Sequence, residues 1–243
     1  MRYRVNEFLR DFSWALARYR KMEGSRRGFG RFMQNPARWY HELLISLVRK
    51  HAGHNWGWVR KDPLFTRLLY EMLIWWGMNQ RAAKLVPYPA FRGRVLRLVA
   101  SREFRRLSSK SIRQVRDTAR WRKDLRALWD LLERPCRIME SNSIFVGSSK
   151  LLHHLLPDLV PPMDRTYTLD FLGGLDPMDP QSAPFALGGA LKLRPDFDTF
   201  CRAMFFYGYV ARRVRKLRRR VDIGPTSGSV TKIIDNAVIA WWQ

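Results

Sequence analysis

The stretch that decides the reading is Val146-Gly147-Ser148-Ser149-Lys150-Leu151-Leu152-His153-His154-Leu155-Leu156, followed by Pro157-Asp158-Leu159-Val160-Pro161-Pro162-Met163-Asp164-Arg165-Thr166-Tyr167. Leu151, Leu152, Leu155 and Leu156 predict a short helix anchored in a core. Ser148 or Ser149 is expected to cap it, which puts Lys150 at its start. Gly147 would let the backbone approach a ligand closely. Free N–H groups at such a start favour an anion such as phosphate. Pro157, Pro161 and Pro162 stiffen the return, and Asp164 falls at or near the N-cap of the next helix. A lysine and an aspartate on facing helix starts, in a chain this basic, suggest chemistry on a nucleic acid.

The charge makes that expectation quantitative. The 243 residues hold 45 Lys and Arg against 21 Asp and Glu, a formal net charge of +24. Such a charge repels itself in a compact state, so a polyanionic partner is its natural counterpart. Binding through phosphates would release counterions and weaken steeply with salt. At 46% hydrophobic residues the chain can build a real core, which argues against intrinsic disorder. Cys136 and Cys201 have no metal-ligand spacing and make no disulfide framework. Two cysteines also fall short of the roughly four that an iron–sulfur cluster needs. No apolar run approaches the ~18–20 residues of a membrane span, and Met1–Glu7 lacks the apolar centre of a signal peptide. The expectation is a cytoplasmic, nucleoid-associated monomer with no cofactor, no metal and no membrane partner.

Along the chain the pattern is helical. Val5, Phe8, Leu9, Phe12, Leu16 and Tyr19 share one face over residues 3–21. Gly24 to Gly30 is a basic loop. Asn35-Pro36 and Asp62-Pro63 are helix starts, each a capping side chain followed by a proline suited to the first turn. The run from Leu64 to Trp76 is apolar nearly all round, which predicts a central buried helix. Within it Glu71 is expected to pair with an arginine. Gly77-Met78-Asn79-Gln80 breaks that run. Residues 90–100 and 108–133 read as two helices, the second with Trp121, Leu125, Leu128, Trp129 and Leu132 on one side and arginines on the other. Gly173-Gly174 to Gly188-Gly189 reads as an insertion or mobile loop. A long helix over 197–220 ends in an arginine-rich run, and Val230–Trp242 closes the chain as an apolar helix or strand. Sustained period-two alternation is missing, so a substantial sheet is not expected.

These motifs carry a family resemblance. The Gly147…Lys150 turn and helix, followed by Pro162-Met163-Asp164, looks like the helix-hairpin-helix DNA glycosylase superfamily, with the hairpin-like segment at 140–172. The resemblance implies an all-α fold with two helical lobes around a basic cleft, in a single domain over 1–243. It implies that Asp164 is the catalytic carboxylate and that Lys150 is the residue that attacks the sugar and enables strand cleavage. Asn79 and Gln80 are similar to the turn that penetrates the DNA. The usual hairpin has two glycines, whereas Ser148-Ser149 here follows one, and the interval from Lys150 to Asp164 is short. The longer pattern, with Trp75-Trp76-Gly77-Met78-Asn79 and Thr231-Lys232-Ile233-Ile234-Asp235-Asn236, also resembles a poorly characterised bacterial family.

The implied activity is excision of a damaged or modified base from double-stranded DNA, in repair or in defence against modified foreign DNA. Its chemistry suits these residue types. Breaking an N-glycosidic bond develops positive charge on the sugar, which a carboxylate stabilises. An amine freed of its proton can act as a covalent nucleophile. The flipped base needs an aromatic pocket, for which Tyr167, Trp75, Trp76, Trp56 and Trp58 are candidates. Phosphate contacts are assigned to Gly147, Ser148, Ser149, Arg165, Arg212, Arg213 and Arg215. The readings set beside these are simpler. Asp164 caps a helix, Lys150 grips a phosphate, Trp75-Trp76 is core, and the protein is a non-catalytic nucleic-acid-binding module, directed to DNA or to RNA. His153-His154 and His51-x-x-His54 are not expected to bind a metal.

Overall fold

A computed structural model of the chain describes residues 2–24, 36–51, 56–80, 82–142, 144–187, 196–214 and 229–242. The described residues are mostly helical and contain no strand, only the isolated bridges Tyr3–Leu175 and Leu85–Met139. The helices are α1 (Val5–Arg10), α2 (Phe12–Gly24), α3 (Pro36–Lys50), α4 (Trp58–Lys61), α5 (Pro63–Leu73), α6 (Tyr88–Ala100), α7 (Arg102–Leu107), α8 (Ala119–Glu133), α9 (Ile144–Leu155), α10 (Asp170–Gly174), α11 (Phe197–Val214) and α12 (Val230–Trp242). Two π-helical turns join them: Ile74–Met78, which prolongs α5, and Arg165–Leu169, which leads into α10.

Several starts are set by the capping side chains the sequence offers. Asp62 accepts from the Phe65 N–H and Pro63 opens α5. Thr118 does the same for α8, whose Leu125, Leu128, Trp129 and Leu132 are buried as their spacing requires. Residues 108–133 are not one helix, however. The reciprocal cap between Ser111 and Gln114 closes a separate 3-10 turn, and Thr118 starts a new helix after it. Side chains that bond the backbone locally here outcompete helical continuity. The 3–21 face is likewise shared between α1 and α2, which meet at Asp11.

The α5 run is less enclosed than its composition suggests. Phe65, Leu69, Met72 and Leu73 are buried, but Leu64 and Trp75 are exposed, and Glu71 pairs with Arg67 at 2.8 Å. The Gly173–Gly189 stretch is anchored as far as Leu187. Tyr3 bonds the backbone on both sides of Leu175, Ser182 Oγ accepts from the Val5 N–H, and Phe185 is buried. Gly188 and Gly189, the loop beyond Gly24, His54 and the arginine run beyond Val214 lie outside the described residues.

The buried side chains form one continuous cluster reaching from α1 to α12. Helix α9 packs on α3, α5 and α8, while α12 lies against α2, α11 and the Arg165–Leu169 turn. Gly147 is where α9 fits most closely: a Cβ there would sit 2.4 Å from Met139 Sδ. Gly147→Ala is expected to destabilise the protein by about 1–3 kcal/mol through overpacking. Urea denaturation checks this, and the penalty should shrink in a Met139→Ala background.

Candidate functional site

The structure moves the start of the key helix. α9 begins at Ile144, so Gly147, Ser148 and Ser149 lie within it and are buried. This corrects the expected hairpin turn: none of the three presents a free N–H to phosphate. Ser149 Oγ instead bonds the Val146 carbonyl and accepts from the Met163 N–H at 3.2 Å, tying α9 to the proline-rich return. Lys150 is therefore not at a helix start but inside a buried helix, with its side chain 12% exposed.

A buried ammonium needs partners, and the fold supplies two. Lys150 Nζ donates to the Trp76 carbonyl at 3.1 Å and lies 3.7 Å from Asp164 Oδ2. The carbonyl is available because Gly77, at φ +81°, takes the left-handed conformation and ends the helical path there. Burial pushes the Lys150 amine below the ordinary lysine range, with the carboxylates of Asp164 and Asp235 pulling it back and Lys232 adding to the depression.

Asp164 is at the N-cap, as its position before Arg165 predicts. Its carboxylate accepts from the Thr166 N–H at 2.8 Å, and its own N–H donates to Thr168 Oγ1 at 3.0 Å. Its side chain is 34% exposed. Lys150 of α9 and Asp164 beyond the proline-rich return are thus neighbours in space.

Helix α12 contributes groups to which the sequence reading gave no role. Lys232 Nζ bonds Asp235 Oδ2 at 2.7 Å and lies 5.6 Å from the centre of the Trp76 ring, where Lys150 Nζ lies 5.7 Å from the same centre. Asp235 is buried, and burial raises its carboxyl above the usual range against the pull of Lys232. Tyr207 of α11 donates to Asp235 at 3.4 Å, and burial holds its phenol well above the ordinary value. A hydrogen-bond chain therefore runs from Lys232 through Asp235 to Tyr207. Charged side chains three residues apart in the otherwise apolar Val230–Trp242 segment were the signal for this pair.

Three histidines lie beneath. His154 Nδ1 faces the Lys150 carbonyl at 2.7 Å, so it carries the proton and donates. Its Nε2 then accepts from His41 Nδ1 at 2.9 Å. His153 Nδ1 donates to the Val160 carbonyl, and its buried Nε2 has no hydrogen-bond partner among the described residues. His41 stacks on Trp76 at 5.5 Å. Burial holds all three well below the ordinary imidazole value, His154 at about 3. Among the described residues no His, Cys, Asp and Glu group could hold a metal ion.

The remaining candidates are dispersed. Trp76 is packed against the histidines, whereas Trp75 is exposed and Tyr167 half-buried beside Asp164. Trp58 stacks on His51, and Trp56 lines a separate open cleft of 420 Å³ with Arg60 and Arg105. Asn79 and Gln80 are exposed after the Gly77 turn, the Asn79 side-chain carbonyl accepting from the Leu85 N–H. Arg165 is exposed. Arg212 is partly buried and donates to the Val115 carbonyl, while exposed Arg213 stacks on Tyr209. Arg215 lies outside the described residues. Compared with protein-family models, curated proteins and solved structures, the chain matches none.

The neutral histidines fix a pH dependence. Below the ordinary value of 6.5 an unfolded His154 binds a proton that the folded one refuses until about 3. Stability is then full above that upper value and falls as pH drops through the window, with a limiting slope of about 1.4 kcal/mol per pH unit for each such histidine. Urea midpoints should fall between about pH 7 and pH 5. His41→Gln should flatten the decline, and a level profile in the unaltered protein would contradict the buried-neutral assignment.

Proposed function

We propose that the chain is a DNA glycosylase of the helix-hairpin-helix kind, with two helical lobes around a basic cleft. It flips a damaged or modified base out of duplex DNA and breaks its N-glycosidic bond. The observation that carries the reading is the approach of Lys150 Nζ to Asp164 Oδ2 at 3.7 Å, with the carboxylate partly open to solvent and the amine enclosed. The surplus of cations, +24 overall, supports a polyanionic substrate.

Asp164 stabilises the positive charge that develops on the sugar as the base leaves, or activates the water that replaces it. Lys150 adds a covalent route. Its neutral amine attacks the sugar C1′ as the bond from C1′ to the base nitrogen breaks. The base departs with the bonding electron pair and takes up a proton. Loss of the amine's protons and opening of the sugar ring leave an imine at C1′. That imine acidifies the neighbouring C–H and so permits strand cleavage. Asn79 and Gln80 fill the gap left by the flipped base, which Trp75 or Tyr167 stacks upon. Arg165, Arg213 and Arg215 contact phosphate without reading sequence.

One observation favours a second reading. The Lys150 bond to the Trp76 carbonyl is also what a purely structural, helix-capping lysine makes. In that case the protein is a non-catalytic module that grips nucleic acid through its basic faces.

The two readings separate on Asp164→Asn. Asparagine still caps a helix, so the fold and the affinity for DNA should persist. Release of altered bases, read as alkali-labile sites in duplexes carrying modified bases, should fall by about 10²–10⁴-fold. Unchanged release would remove Asp164 from the chemistry. Lys150→Gln should abolish borohydride trapping of a covalent adduct while sparing much of the base release.

A further inference from the structure

Among the described residues two lysine–carboxylate pairs lie around one tryptophan ring, and the glycosylase chemistry uses only one of them. Lys232 and Asp235 sit on α12, bonded to each other at 2.7 Å, with side chains 17% and 4% exposed. An ion pair so enclosed costs more in desolvation than a pair of apolar side chains would. Its contribution to the core is therefore weak grounds for its presence, and its neighbours offer a better one. Lys232 Nζ and Lys150 Nζ both lie within 5.7 Å of the centre of the Trp76 ring. The carboxylate of Asp235 also accepts from Tyr207 of α11.

We propose that Lys232 and Asp235 are the positioning pair of the Lys150–Asp164 site, the Asp235 carboxylate holding the Lys232 ammonium charged beside Trp76. The proposal rests on the reading of Lys150 as a nucleophile and adds what makes it one. A lysine amine attacks only after losing its proton, and a second cation in a poorly hydrated site favours that loss. The two ammonium groups are not equivalent. Lys232 has a carboxylate at 2.7 Å, whereas Lys150 has one at 3.7 Å and a neutral carbonyl at 3.1 Å. The more tightly paired lysine keeps its proton, and the looser one gives it up. Other titratable groups facing Lys150 do not reverse this order. His154 on its own helix and His41 on α3 are neutral, and Tyr207 on α11 keeps its proton. Asp164 and Asp235 both favour a charged Lys150, leaving Lys232 as the opposing charge.

The test reads the amines directly, without DNA. The whole protein is treated with limiting acetic anhydride across pH, and acetylation at each lysine is quantified by mass spectrometry, with exposed Lys61 and Lys123 as references. Lys150 should become reactive at lower pH than Lys232 and than the references. Lys232→Met should raise the Lys150 midpoint by about 1 pH unit, the lower end of what a nearby charge does. Lys232→Arg, which keeps the charge, should leave the midpoint in place. Equal midpoints for Lys150 and Lys232 in the unaltered protein would overturn the proposal even if the methionine variant failed to fold. A Lys150 that stays unreactive at every pH, or a midpoint unmoved in folded Lys232→Met, would overturn it as well. Base release and borohydride trapping report on the glycosylase reading separately. The midpoint order can hold while release is absent, and it can fail while release is present.

Discussion

Much of this structure follows from burying the amine of Lys150. An ammonium group taken out of water costs several kcal/mol unless hydrogen bonds and opposite charge replace its hydration. The fold brings three separated segments to it. Gly77 turns α5 aside so that the Trp76 carbonyl points at Nζ, the proline-rich return delivers Asp164, and α12 lays Lys232 and Asp235 along the same ring. Each is pinned by something else in turn. Ser149 ties the return to α9, Tyr207 ties α11 to α12 through Asp235, and His154 holds the Lys150 carbonyl. Moving any one element breaks hydrogen bonds among buried groups, where an unpaired donor or acceptor is costly.

The sequence was most legible where one side chain determines one backbone event. Asp62-Pro63 starts α5 and Asp164 caps the Arg165–Leu169 turn, because a carboxylate placed there bonds the next free N–H groups whatever the tertiary context. The apolar face of α8 was legible for a similar reason, since spacing alone aligns Leu125, Leu128, Trp129 and Leu132. The start of α9 was not. Ser148 and Ser149 have the side chains of a cap, but Ile144, Phe145 and Val146 precede them and continue the helix upstream. Their hydroxyls face the interior, that of Ser149 bonded to the Met163 backbone and that of Ser148 with no hydrogen-bond partner among the described residues. Gly147 was misplaced with them. Its lack of a side chain accommodates Met139 rather than a ligand. Local chemistry placed a capping residue correctly where its partner was a neighbour in sequence, and misplaced one where the partner came from another segment.

The arginines carry a related lesson about charge. A composition of +24 invites the view that every basic face is open to a polyanion. Much of that charge is engaged within the fold. Arg122 bonds Asp117 and covers Phe205, Arg106 bonds Asp124, Arg137 bonds the Met139 carbonyl, and Arg212 bonds that of Val115. Their long stems and planar heads pack as well as charge the surface. The excess over acidic groups remains, so a polyanion still fits the whole molecule. Individual arginines, though, differ in exposure, Arg212 being partly buried and Arg165 and Arg213 exposed.

Two aspartates show how surroundings divide the chemistry. Asp164 and Asp235 are the same residue type within one network, and their environments give them different work. Asp235 has its carboxylate shared between Lys232 and Tyr207 with almost no exposure, so it is closed to solvent. Asp164 spends one oxygen on the Thr166 N–H and keeps a third of its side chain open. Lys150 and Lys232 divide the same way, by how closely a carboxylate holds each. Pairs of like groups in unlike environments are how one protein keeps opposite protonation states side by side. The glycosylase reading needs that division: an accessible carboxylate beside an amine that can lose its proton, next to a second pair held more closely.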